Sequence, residues 1–241
     1  MKGIYMMIGY PDIETFKEEF IFSQNCGLDF VEIGIPFNDP VADGPIISEA
    51  GENVLTSGVN IEELMDFIRK NKKTKIYIMT YSNIIYHYGA KNFSKKYNST
   101  IDGVIVADLP NEYHCFFKEK GFEIPIIPFA TTDTDAGKLT QYLNGQDFIY
   151  FVGLKGVTGS KADLNNQVNI KKIKEVKEKS GYNVIFGFGI KTPADASAVM
   201  KFADGFVVGT EVVKRQPEAE EFKKYVKSLV DSGEKRGNIY T

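Results

Sequence analysis

Two carboxylates in one short stretch of the chain have the residue types and the spacing for acid–base chemistry. Glu32 stands in an apolar, strand-like run at residues 30–35, and Asp43 follows eleven residues later in a loop rich in Pro, Asp and Gly. A carboxylate in an apolar setting tends to take up a proton, whereas a wetter one stays ionised. Glu32 could therefore act as a proton donor and Asp43 as an ionised carboxylate beside it. Two plainer interpretations stay open: a buried ion pair for Glu32, and turn formation for Asp39 and Asp43.

Glycines in the C-terminal half of the chain form a second candidate site, for a phosphate group. They occur in three segments that follow predicted strands, at residues 156–159 and 187–190 and at Gly209-Thr210. Glycine lets backbone N–H groups approach an anion closely, and Thr210 adds a hydroxyl. One such segment would indicate only a turn, but three in consecutive units favour phosphate binding over turn formation.

Aromatic and apolar side chains could line a flat pocket between these two sites. The candidates lie on or just after predicted strands: Tyr5, Tyr81, Ile105, Phe129, Tyr150 and Phe188. Each could instead be a packed core residue whose hydroxyl, where it has one, is satisfied locally. For Phe129 we favour the core.

The elements that must position these residues alternate between strand and helix. Apolar runs predict eight strands that begin near Ile4, Phe30, Lys75, Gly103, Glu123, Phe148, Asn183 and Gly205. Amphipathic segments predict helices over residues 12–26, 46–56, 61–71, 91–97, 111–120, 134–143, 167–180, 193–202 and 217–230. Eight such units match an α/β fold, a single (β/α)8 TIM barrel over residues 1–241, with a phosphate site at the loops after strands six to eight. A doubly wound parallel sheet with two extra strands is the alternative.

The composition restricts the class of function. A net charge of −3 and 25% charged residues give no reason to expect nucleic-acid binding. No apolar run approaches the roughly 20 residues that span a bilayer, so we expect a cytoplasmic protein without membrane contact. Two histidines and two cysteines lack metal-ligand spacing, which predicts no metal site. We expect Cys26 and Cys115 to be buried, His87 to be packed and His114 to lie on the surface.

A long block of residues also resembles a known family. Residues 32–45, Glu-Ile-Gly-Ile-Pro-Phe-Asn-Asp-Pro-Val-Ala-Asp-Gly-Pro, closely resemble the strand-two and loop-two signature of tryptophan synthase α chains. Supporting matches fall in the family's order at residues 79–83, 106–110, 156–159, 187–190 and 209–213. The resemblance covers nearly the whole chain. It implies a TIM-barrel lyase that splits indole-3-glycerol phosphate into indole and glyceraldehyde 3-phosphate during tryptophan biosynthesis.

The resemblance implies a role for individual positions. Glu32 and Asp43 match the family's catalytic glutamate and aspartate, Tyr150 a tyrosine near the reacting centre, and Tyr5 an aromatic position that packs against the indole. The phosphate cradle would be formed by Gly159, Gly189, Gly209 and Thr210. The loops that contact a β partner would carry Pro36, Asp39, Pro40, Asn83 and Pro110. In this family the β subunit carries pyridoxal phosphate and receives indole through a tunnel in an α2β2 heterotetramer, so this chain would hold no cofactor of its own.

The sequence departs from the family's pattern at three places. Many members have an amphipathic helix before the first strand, which plugs the bottom of the barrel, whereas here the first predicted strand starts almost at Met1. Leu154 and Lys155 stand where an arginine is frequent, and Thr210 replaces a serine but keeps the hydroxyl.

Three other functions stay open. A lyase that works alone would have the same site, although the loop at residues 36–45 favours a subunit. A non-catalytic barrel that only activates a β partner would not need both carboxylates. Another sugar-phosphate barrel would not need the block at residues 32–45.

Overall fold

Eight parallel strands form the sheet in the described part of the chain. The computed structural model describes residues 1–143, 145–153 and 166–232. The strands are β1 (Lys2–Met7), β2 (Phe30–Gly34), β3 (Lys75–Thr80), β4 (Gly103–Val106), β5 (Phe129–Ala130), β6 (Phe148–Phe151), β7 (Asn183–Phe186) and β8 (Gly205–Val208). Their order is β4-β3-β2-β1-β8-β7-β6-β5, and a parallel bridge between Val104 and Ile126 connects the two ends. The sheet therefore curls round on itself, which confirms the predicted (β/α)8 fold over the doubly wound alternative.

Helices connect the strands. They are α1 (Ile13–Ser23), α2 (Pro45–Ser57), α3 (Ile61–Asn71), α4 (Ser82–Tyr88), α5 (Ala90–Tyr97), α6 (His114–Glu119), α7 (Ala136–Leu139), α8 (Gln167–Ser180), α9 (Pro193–Val199), α10 (Thr210–Val213) and α11 (Ala219–Ser232). Polar side chains start several of them. The Asp12 carboxylate accepts hydrogen bonds from the N–H groups of Glu14 and Thr15 at the start of α1, and Thr192 and Asp195 form a capping box at the start of α9. No helix within the described residues is long and apolar enough to cross a membrane.

The two faces of each strand bury different parts of the core. Ile4, Met6, Val31 and Ile33 pack between the sheet and the helices, and the residues that alternate with them point into the barrel. At the N-terminal ends of the strands the interior is filled by three aromatic rings, those of Phe30, Tyr77 and Phe148. Their centroids are 4.9–5.5 Å apart. Glu32 comes two residues after Phe30, so its side chain points to the same interior, nearer the opposite end of the barrel.

The structure corrects the predicted start of the fifth strand. The prediction that it begins near Glu123 is wrong, since β5 begins at Phe129. Pro125 and Pro128 have no N–H group and cannot donate to a neighbouring strand. The segment before β5 is instead held by two hydrogen bonds, from Val104 N–H to the Pro125 carbonyl and from Ile127 N–H to the Val104 carbonyl, each 2.8 Å long.

The predicted environments of the cysteines and histidines also need correction. Cys26 is only half-buried, Cys115 is exposed and His87 is exposed. His114 is buried beside Tyr142, because α6 turns it towards the core, and burial lowers the pKa of His114 to about 4. Among the described residues, no three His, Cys, Asp or Glu side chains are grouped so that they could hold a metal ion.

Candidate active site

The carboxyl group of Glu32 is buried inside the barrel, and no described residue satisfies one of its two oxygens. Glu32 lies level with Tyr5 on β1 and Tyr77 on β3, and its side chain is 1% exposed. Its Oε2 atom has no hydrogen-bond partner among the described residues, and no Lys or Arg in that part of the chain forms a salt bridge with it. Burial, with a smaller contribution from the charge of Asp43, raises the pKa of Glu32 to about 8. At neutral pH the group is therefore protonated and can donate its proton.

Asp43 reaches the same place from the loop between β2 and α2. The loop is tied to the end of β3 by Tyr81, whose ring stacks on Phe37 at 5.0 Å between centroids. The Tyr81 hydroxyl donates to the Asp43 carboxylate and accepts from the N–H of Ala42 at 3.3 Å. Burial raises the pKa of Asp43 to about 6, and the hydrogen bond from Tyr81 opposes that rise. At neutral pH Asp43 is thus mostly ionised beside a protonated Glu32.

Two tyrosines approach the carboxylates over glycines that leave room for them. A Cβ atom at Gly34 would lie 1.8 Å from the hydroxyl oxygen of Tyr5, and one at Gly187 would lie 2.2 Å from that of Tyr150. Only glycine fits at these two positions of the barrel wall. Burial raises the pKa of both tyrosines well above their ordinary value, so both hydroxyls stay protonated as donors.

One cleft at the mouth of the barrel brings most of the predicted residues together. It is lined by Tyr5, Glu32, Asp43, Ile47, Met79, Tyr150, Gly187, Phe188, Gly189, Ile190, Lys191, Val207, Gly209, Thr210 and Glu211. The carboxylates are thus in one cavity with the glycines after β7 and β8. Ile105 is fully buried in the barrel interior and does not line the cleft. Tyr81 does not line the cleft either, and it contacts the site through its hydrogen bond to Asp43. The predicted Gly159 lies outside the described residues.

An apolar cleft adjoins the first one and shares part of its wall. The two have Met79, Tyr150, Gly187 and Phe188 in common, and the second is completed by Ala42, Ala107, Phe129, Thr131 and Val152. Phe129 is half-buried at this surface, its ring edge-on to that of Tyr150 at 5.6 Å, rather than enclosed in the core as predicted. A flat aromatic ring bound here would pack mainly on apolar side chains, with the carboxylates in the adjoining cleft.

The sequence and the fold both resemble those of known proteins. A sequence model described as "Tryptophan synthase alpha chain" matches residues 4–236.

The chain belongs to the tryptophan synthase alpha chain family.

The tryptophan synthase alpha chain of Staphylococcus epidermidis is 40% identical over 212 residues, which are 84% of this chain and 87% of that one. The alpha chain of Lachnospira eligens is 34% identical over 219 residues, 87% and 83% of the two chains. Among solved structures, the alpha chain of Legionella pneumophila superposes with a TM-score of 0.82 at 26% identity, covering 99% of this chain and 93% of that one. Tryptophan synthase of Mycobacterium tuberculosis gives a TM-score of 0.84 at 25% identity, covering 96% and 91%.

In this member of the tryptophan synthase alpha chain family, the residues predicted for a partner interface differ in exposure. Asp39, Asn83 and Pro110 are exposed and Pro40 is half-exposed. Pro36 is buried, and its Cβ lies near Gly51 of α2, so any effect it has on a partner must pass through the loop.

Sequence reasoning missed five residues of the cleft: Ile47, Met79, Lys191, Val207 and Glu211. Met79 could have been found, because it follows the inward-facing Tyr77 by two positions on β3. Lys191 directly follows the glycine segment at residues 187–190, so the sequence also indicates its position near the predicted phosphate site. Ile47 and Glu211 lie on helices whose angle to the barrel no local pattern gives.

Proposed function

We propose that the chain is the α chain of a tryptophan synthase and cleaves indole-3-glycerol phosphate to indole and glyceraldehyde 3-phosphate. Membership of the tryptophan synthase alpha chain family supports the reaction class. The observation that carries the assignment to this site is the buried carboxyl group of Glu32 beside Asp43, in a cleft that also contains Gly189 and Gly209. One oxygen of that carboxyl group has no hydrogen-bond partner among the described residues.

Glu32 supplies and recovers the proton. Its protonated carboxyl group donates to C3 of the indole ring, which leaves positive charge on the ring. The bond between C3 and the glycerol carbon then breaks, its electron pair returns to the ring, and the adjacent hydroxyl becomes the aldehyde. The Glu32 carboxylate takes up the proton that this hydroxyl loses, so the residue ends in its starting state. Positioned proton transfer of this kind typically accelerates a reaction by roughly 10²- to 10⁴-fold.

Asp43 stabilises the positive charge that develops on the indole ring. Its carboxylate accepts a hydrogen bond from the ring N–H, which becomes more acidic as C3 is protonated. Tyr81 holds the carboxylate in place and favours its ionised form. A preorganised charge in a site that excludes water stabilises the transition state without reorganisation. Tyr150 and Tyr5 close the cleft around the reacting carbon as neutral hydroxyls.

The two ends of the substrate occupy the two parts of the cleft. The indole ring packs among Tyr5, Phe129 and Phe188. The phosphate group binds the backbone N–H groups around Gly189 and Gly209 and the hydroxyl of Thr210, and Gly159 is the further residue expected to contact it. Binding energy from the remote phosphate then holds the reacting carbon against Glu32.

The partner is a tryptophan synthase β chain that carries the pyridoxal phosphate and receives the indole in an α2β2 assembly. It would dock on the loops with Asp39, Pro40, Asn83 and Pro110. Apolar side chains beside these residues are unusually exposed: Val41 at 63%, Tyr86 at 58%, Tyr113 at 60% and Phe116 at 41%. An apolar patch of this kind is typical of a protein interface. The chain would work in the cytoplasm, as one domain over residues 1–241 and without a cofactor of its own.

An indole assay tests the proposal. Purified protein is given indole-3-glycerol phosphate with and without a β chain. We expect weak release alone and strong release with the partner, whereas equally fast release in both cases would identify a lyase that works alone. Asp43→Asn should reduce release roughly 10²- to 10³-fold, and Glu52→Gln, an exposed carboxylate on α2, should not. No indole from the wild type under either condition would overturn the proposal.

A further inference from the structure

One cation in the cleft has no role in the mechanism above. Lys191 follows the glycine segment after β7 and lines the same cleft as Gly189 and Thr210. Its side chain is exposed, and no salt bridge to it is present within residues 1–143, 145–153 and 166–232. A lysine in this place can meet the charged end of a ligand that enters the cleft.

The backbone of Lys191 is held in place from two sides. Its N–H donates to the Asp195 carboxylate at 3.0 Å, as part of the cap of α9. Its carbonyl oxygen accepts from the hydroxyl of Tyr225 on α11 at 2.8 Å. Only the flexible side chain has to be ordered when a ligand binds, so the entropic cost is that of one side chain.

The other charged groups near Lys191 have partners. The Glu211 carboxylate, which lines the cleft, pairs with Lys214 at 2.9 Å and Arg215 at 2.8 Å. The Asp195 carboxylate accepts from the N–H groups of Lys191 and Thr192. The charge of Lys191 is therefore left for a ligand, beside glycines that offer neutral N–H donors.

We propose that the ammonium group of Lys191 pairs with the phosphate dianion of the substrate and makes the cleft selective for phosphorylated ligands. The inference rests on the proposed function, since it takes the glycines after β7 and β8 to be the phosphate site. The N–H donors and the Thr210 hydroxyl orient the phosphate oxygens. Lys191 adds the compensating charge, which neutral donors do not supply.

Binding of sn-glycerol 3-phosphate, measured by calorimetry, tests the inference without catalysis. Lys191→Gln should weaken binding about five- to tenfold at low salt, and the difference should shrink at high ionic strength because salt screens an exposed charge. Lys191→Arg should restore most of the affinity. Lys201→Gln, which removes an exposed lysine beyond the opposite end of α9, should have no effect. Equal binding by the wild type and Lys191→Gln at low salt, or the same loss at every salt concentration, would overturn the inference.

Steady-state kinetics separate this inference from the proposed function. Lys191→Gln should raise KM for indole-3-glycerol phosphate by a similar factor and leave kcat within about twofold, because the charge acts on bound substrate and transition state alike. If the wild type releases indole and Lys191→Gln has an unchanged KM, the inference fails and the proposed function stands. If glycerol 3-phosphate binding depends on Lys191 but no indole is released, the proposed function fails and the anion site stands.

Discussion

Replacing Glu19 by glutamine should remove a large part of the pH dependence of the protein's stability. Glu19 lies on α1 and is completely buried. Its Oε2 atom accepts from the side-chain amide of Gln216 at 3.3 Å, and its Oε1 atom has no partner among the described residues. Gln216 also binds the Met7 N–H and the Tyr10 carbonyl, so it has no further donor for a charged carboxylate. Glu19 is therefore neutral in the folded protein.

The size of the effect follows from the pKa of Glu19. Burial raises that pKa from an ordinary value of 4.5 to about 9. Between these two values the carboxyl group is neutral when folded and ionised when unfolded, so its contribution to stability is present below pH 4.5 and is lost as the pH rises towards 9. The loss is about 1.4 kcal/mol per pH unit, or about 3 kcal/mol between pH 5 and pH 7, as an upper limit.

Urea unfolding of the wild type and of Glu19→Gln from pH 5 to pH 8 measures the effect. The variant's free energy of unfolding, relative to the wild type, should rise with pH by up to about 3 kcal/mol over the first two units. The extra buried amide donor adds a cost that does not change with pH, so the slope is the readout. Glu18→Gln is the control, because Glu18 is exposed and pairs with Lys223 at 2.5 Å. A difference between Glu19→Gln and the wild type that stays constant over this range would refute a neutral buried Glu19.

Three further predictions concern the cleft. The kcat/KM for indole-3-glycerol phosphate should be bell-shaped in pH, falling below about pH 6 as Asp43 is protonated and above about pH 8 as Glu32 loses its proton; a flat profile to pH 9 would contradict this. Tyr81→Phe removes the donor that lowers the pKa of Asp43, so the acid limb should move to higher pH, and an unmoved limb would rule out the hydrogen bond. Gly34→Ala places a Cβ 1.8 Å from the Tyr5 hydroxyl, so kcat/KM should fall at least about tenfold, and normal turnover would show that the ring can shift freely.

Local sequence patterns were sufficient for most of the fold. Continuous apolar runs such as residues 103–106 mark buried parallel strands, and helices with a charged face, such as Ile61–Asn71 and Gln167–Ser180, were predicted to the residue. The segment before β5 is apolar too, but Pro125 and Pro128 restrict its pairing. Helix α4, Ser82–Tyr88, was missed because its polar residues form no clear charged face.

The sequence predicted those parts of the candidate site in which the residue type itself indicates the chemistry. An acidic residue in an apolar strand is conspicuous, and Glu32 is indeed buried with a raised pKa. The contact between Tyr81 and Asp43 was not predictable, because it joins β3 to a loop that belongs to another unit of the barrel. Likewise, Ile105 lies on an inward-facing position, but its depth in the barrel, which removes it from the cleft, depends on strand register.

Glu32→Gln tests most directly whether the buried carboxyl group of Glu32 delivers the proton. The amide is close in shape to a protonated carboxyl group, so the variant should fold and bind glycerol 3-phosphate like the wild type. Indole release from indole-3-glycerol phosphate, measured with a β chain present, should fall at least roughly 10²- to 10⁴-fold, with Glu52→Gln as the unaffected control. Release at the wild-type rate by folded Glu32→Gln would contradict this role of Glu32.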